Sequence, residues 1–168
     1  MGFVFFSNKL GNFRRRLYVA AACCLVCGCA TVTPGTSPEE IHLFGVPAAL
    51  NLDNIPGPDG VGVRIYASTT TVAKGLAIRS GTLDILMFDT PGQATNPEAN
   101  KPRHMWSFTP NQLKLVSGET SMGLGYRLAL PWGPDKPPGH SVTVIARYVP
   151  RKGKPIYSSP STIGLTVK

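Results

Sequence analysis

The sequence predicts an all-β fold: a single antiparallel β-sandwich of seven or eight strands with one short helix. Three observations carry this. Apolar residues recur at every second position in short runs from Ile41 onward, the period of a strand with one face buried. The runs are punctuated by turn-forming clusters drawn from 18 glycines and 16 prolines in 168 residues. Only one segment carries a convincing helix start.

Taken along the chain, Pro56-Gly57-Pro58-Asp59-Gly60 is strong turn chemistry, and Val61, Val63 and Ile65 then alternate with Gly62, Arg64 and Tyr66 as a half-buried strand. Leu83, Ile85 and Met87 alternate with Thr82, Asp84, Leu86 and Phe88. His104 to Phe108 reads as a further strand with Trp106 and Phe108 on one face. Thr109-Pro110-Asn111-Gln112 then fits a capping box with proline at the first helical position, and Gly118 limits that helix to one or two turns. Tyr126, Leu128 and Leu130 alternate with Arg127 and Ala129. Residues 142–149 form a β-branched run, and Ile163, Leu165 and Val167 alternate with Thr162, Gly164 and Thr166. Segment 90–102 reads as a long insertion, with no repeat and no low-complexity run beyond the N-terminal tether.

The N-terminal region sets an address. Arg14-Arg15-Arg16 precedes the apolar run Leu17 to Gly28, twelve residues long, which suits a secretory signal and falls short of the roughly 20 residues that span a bilayer. The positive charge stays on the cytoplasmic side, so the carboxy-terminus is exported. Val26-Cys27-Gly28-Cys29 resembles the bacterial lipobox, which implies cleavage before Cys29 and acylation of that cysteine. Ala30 after it, in place of aspartate, resembles the outer-membrane sorting pattern. The expected organisation is a signal at 1–28, a lipidated flexible tether at 29–40 and a β-sandwich domain at 41–168.

Cleavage changes the charge account. The whole chain has 17 basic and 9 acidic residues, a net +8, but residues 1–28 carry Lys9, Arg14, Arg15 and Arg16 and no acid. The remainder has 13 basic against 9 acidic residues, a net +4, which argues against nucleic acid as a partner. All four cysteines lie between 23 and 29, so the domain has no internal disulfide and relies on a hydrophobic core.

Chemistry-bearing patterns are weak. His42, His104 and His140 lack ligand spacing, so no metal and no cofactor is expected, and Gly118-Glu119-Thr120-Ser121-Met122-Gly123 lacks the symmetry of a nucleophile elbow. No catalytic residue is assigned. Asn51, Asp53, Asn54 and Asp59 share a loop but read as turn caps better than as a calcium site. Arg147, Arg151, Lys152 and Lys154 cluster around Pro150 and Gly153 as a basic hairpin tip. They are candidates for contact with an anionic surface, while Trp132 in its proline-rich loop either caps the sandwich or presents a flat binding surface.

The order of lipobox, polar tether, turn and Val63-Arg64-Ile65-Tyr66 as an early strand is similar to the outer-membrane lipoprotein of type VI secretion systems. That resemblance implies a transthyretin-like sandwich and a place in a secretion machine's membrane complex; segment 90–102 and the tryptophans lie outside it. The reading from the residues themselves is an immunoglobulin- or transthyretin-like sandwich that binds or scaffolds in the bacterial envelope. With the sorting resemblance at Ala30, the expected place is the outer membrane facing the periplasm and the expected partner an envelope protein or cell-wall polymer; an envelope hydrolase is the rival from a different class.

Overall fold

The computed structural model describes residues 36–165. One sheet has the order β1 (Glu40–Gly45), β2 (Gly60–Ser68), β6 (Gly123–Pro131), β5 (Ser117–Thr120). The other runs β4 (His104–Phe108), β3 (Thr82–Phe88), β7 (Ser141–Val149), and β7 also pairs with β8 (Ile156–Tyr157) and β9 (Ser161–Gly164). All these pairings are antiparallel. With β4 set aside as an added edge strand, the order is that of the immunoglobulin sandwich, whose first, second, fifth and fourth strands face the third, sixth and seventh.

The alternation read from the sequence supplies the core. Val61, Val63 and Ile65 of β2, Leu83, Ile85 and Met87 of β3, and Val142, Val144 and Ala146 of β7 meet between the sheets. After β1 the chain crosses to the opposite sheet, where Ala48 bridges Gly164 in parallel and the Ala49 N–H donates to the Gly164 carbonyl at 2.9 Å. This crossing ties the two sheets together along one edge.

Four details differ from the sequence expectation. Strand β2 is buried along nearly its whole length, with Arg64 alone exposed, because Leu50, Leu52 and Val46 fold over its outward glycines. Two helices form where one was expected. The helix α2 (Pro110–Leu115) has the expected cap, with the Gln112 N–H donating to Thr109 Oγ1. In the 90–102 segment, α1 (Pro91–Thr95) repeats the device, Thr90 donating its N–H to Gln93 Oε1 at 3.3 Å.

The remaining two concern the domain's start and a tryptophan. The domain reaches back past Ile41: Glu40 opens β1, and the Glu39 carboxylate accepts the Thr70 N–H at 2.9 Å and its hydroxyl at 2.7 Å. Those bonds, the backbone one foremost, hold the Glu39 carboxyl below the usual carboxylate range. Trp132 is only 2% exposed and belongs to the core. Its backbone N–H donates to the Asp59 carbonyl, which pulls the chain leaving β6 over the end of the sandwich.

Candidate binding surface

The outer faces of the two sheets are built differently. On the second sheet, Leu86, Phe88 and Ile145 point away from the main core and are buried with Ala94 of α1, forming a small satellite core. Beside them Asp84 is only 4% exposed. One carboxylate oxygen accepts the Ser107 hydroxyl at 2.7 Å, and the other accepts Arg147 Nε and Nη2 at 3.0 and 2.8 Å. Burial pulls the Arg147 guanidinium down, but bonding to Asp84 and then Tyr157 outweighs it, so its pKa is raised and the charge is held. Along β3 and β7 this face is closed by its own chain, and Met105 of the edge strand β4 is left exposed beside it.

On the first sheet, the rows running across β1, β2 and β6 are fixed by register. Phe44 lies opposite Arg64, which lies opposite Arg127; the next row outward on β2 and β6 is Gly62 and Ala129, and the next Gly60 and Pro131. A Cβ on Gly62 would lie 2.8 Å from Val46 Cγ2, and one on Gly60 would lie 2.6 Å from Leu52 Cδ1. The glycines therefore let these aliphatic side chains lie flat against the strand. Phe44 is 50% exposed and meets Tyr66 edge-on at 6.0 Å, and Val46, Leu52 and Ile55 are exposed as well.

Arg64 and Arg127 are both exposed and directly opposite one another, a like-charge juxtaposition that does not favour the sheet. Neither has an acidic partner among the described residues. A face that keeps two unneutralised cations beside exposed aromatic and aliphatic side chains is a candidate binding surface.

The residues singled out by the sequence are placed as follows. Cys29 lies outside the described residues. Arg147 is corrected: it is not part of a basic tip, because it sits within β7 and its guanidinium is committed to Asp84. Arg151, Lys152 and Lys154 are exposed in the connection between β7 and β8, where Gly153 takes φ +106°. Trp132 is corrected too, since its burial removes it as a surface contact. Asp59 and Asp53 spend an oxygen each on the N–H groups of Leu52 and Ile55, which is turn capping.

Glu40, His42 and Ser68 bring the residue types of a hydrolytic triad together without its connectivity. The Ser68 hydroxyl donates to Glu40 Oε2 at 3.2 Å, and His42 Nε2 lies 3.0 Å from Ser68 Oγ. A hydroxyl has one proton to give, so His42 Nε2 donates to Ser68 instead of accepting from it. Ser68 is also 1% exposed. His104 bonds through Nδ1 to Asp135 and packs on Trp106 with ring centroids 4.5 Å apart.

Two hollows remain. One of about 360 Å³ lies between the end of α1 and β8, lined by Pro97, Glu98, Ile145 and Tyr157. Another of about 370 Å³ lies beside Arg79, Asn111, Lys114 and Tyr126. Among the described residues no three His, Cys, Asp or Glu side chains gather as a metal site, and no helix is long and apolar enough to cross a membrane. Comparisons with protein families, with curated proteins and with solved structures give no match to this chain.

The sequence alone does not single out Phe44, Arg64 and Arg127. The available signal is their parity: each is the outward member of an alternating run, so an unpaired arginine and an aromatic at outward positions mark the face.

Proposed function

We propose that this chain is a bacterial envelope lipoprotein, acylated at Cys29, whose immunoglobulin-like sandwich is a binding or scaffolding module and not an enzyme. The observation that carries the reading is the run from Arg14 to Cys29, a positive patch, a twelve-residue apolar core and a small residue before cysteine, placed directly ahead of an independent core. The short distance between anchor and domain supports it as well. Glu39 is already hydrogen-bonded into the sandwich, so nine residues separate it from the acylated position, ten backbone steps that reach about 35 Å at full extension. Ala30 in place of aspartate supports an outer-membrane position, and an envelope protein or cell-wall polymer is the partner class that position offers.

The hydrolase alternative loses support at its best constellation, because Ser68 is buried and gives its proton to Glu40. The test of the reading is Cys29→Ser. Each acyl methylene contributes about 0.8 kcal/mol to membrane affinity, so the variant is expected to lose acyl mass and to stay as the unprocessed precursor or appear in the soluble fraction. Identical migration, acyl mass and membrane partitioning in parent and variant would remove the lipobox assignment.

A further inference from the structure

From the outer face of the first sheet we infer a second membrane contact: this face lies against the anionic headgroups of the bilayer that holds the acyl chains. The inference rests on the anchored reading above and names what its exposed face touches. Three features point to a lipid surface. The face has low relief, since Gly60, Gly62 and Ala129 occupy its middle rows and Val46 and Leu52 lie along the strand. Its side chains combine apolar insertion groups, Phe44, Val46 and Leu52 at 50%, 36% and 42% exposure, with the adjacent cations Arg64 and Arg127. Amphipathic surfaces bind anionic bilayers through this pairing of apolar area and positive charge.

Chain geometry favours the same occupant. The segment from Cys29 enters the domain through β1, the edge strand of this very sheet, and ten backbone steps keep Glu39, just ahead of that strand, within about 35 Å of the acylated position. A second copy fits less well. A two-fold contact between identical faces would bring both arginine pairs together, and the acid on this face, Glu40, lies four residues along β1 from Phe44 and is bonded to Ser68.

The test uses the mature acylated chain in vesicles of phosphatidylethanolamine with and without phosphatidylglycerol. A Val46→Cys substitution provides one free thiol, because Cys23, Cys24 and Cys27 leave with the signal and Cys29 carries lipid. An environment-sensitive fluorophore at position 46 should shift to the blue and resist aqueous quenching only in vesicles containing phosphatidylglycerol. The same probe at Lys152→Cys should remain in water.

Arg64→Ser with Arg127→Ser should lower the docked-to-free ratio by about fivefold per arginine at low salt, and high salt should do the same to the parent. A chain that floats with both vesicles while position 46 stays as quenchable as position 152 overturns this inference and leaves the anchor intact. Shielding that grows with protein density assigns the face to a second copy, and shielding in native membranes alone assigns it to a protein partner; either overturns the inference. A chain that fails to float overturns the anchored reading and the inference with it.

Discussion

The two outer faces of this sandwich are made from similar strands and finished in opposite ways. On the second sheet the chain spends α1 covering Leu86, Phe88 and Ile145, and it neutralises Arg147 with a buried carboxylate. On the first sheet Phe44 is left half-exposed, and Arg64 and Arg127 face each other without an acid. An exposed like-charge pair weakens a sheet, so folding alone does not account for it. The proposed contact with an anionic bilayer would offset that cost.

Matched substitutions on the two faces sharpen the contrast. Phe88→Ala empties the satellite core and should cost about 3–5 kcal/mol in urea unfolding. Phe44→Ala should stay within about 0.5 kcal/mol, since its ring is half in water and sits on a surface. Equal costs at the two sites would erase the distinction between a covered face and a bare one.

The ion pair offers a second break. Arg147→Met leaves the Asp84 carboxylate buried with Ser107 as its remaining donor and should cost about 3 kcal/mol. Adding Asp84→Leu should recover most of that loss, because an apolar pair of similar volume removes the stranded charge. If the double variant is as unstable as the single one, the pair is not the feature that closes this face.

A smaller effect is expected between the sheets, where Tyr126 accepts the Ile78 N–H at 2.7 Å. Burial raises the phenol's pKa above its ordinary value of 10.0, with the Ile78 bond opposing. The neutral phenol is therefore favoured in the folded chain, and its stabilisation is full below the unfolded value and lost as pH rises through the folded one. Tyr126→Phe should cost about 1–3 kcal/mol at neutral pH, by stranding a buried N–H, and should flatten the alkaline decline in stability. A steeper decline in the variant would contradict this.

Much of the sandwich was legible because its signals are local. Alternation at 61–66, 83–88 and 126–130 predicted β2, β3 and β6, and the threonine-proline-x-glutamine cap predicted α2. The same four-residue signature stands at Thr90-Pro91-Gly92-Gln93, yet Gly92 and the lack of a following apolar period hide α1; its helix exists because Ala94 packs onto Phe88 and Ile145. Trp132 looked like a loop residue between Pro131 and Gly133, and its burial depends on a bond to Asp59, more than seventy positions earlier.

The bare face was out of reach for the same reason. Each arginine is visibly outward in its own strand, but only the β2–β6 register sets Arg64 against Arg127. The basic tip was legible as a cluster, and Arg147 was drawn into it because proximity in sequence hid its carboxylate partner, 63 positions away.

The most direct test of a working first-sheet face uses two native reporters of nearly equal exposure, Phe44 at 50% and Met105 at 47%, one on each outer face. Hydroxyl-radical footprinting of the full chain in native membranes and after detergent extraction gives each residue its own protection ratio. The account predicts that oxidation of Phe44 slows several-fold in the membrane while Met105 keeps its detergent rate. Equal ratios at the two residues, or protection of Met105 alone, would contradict it.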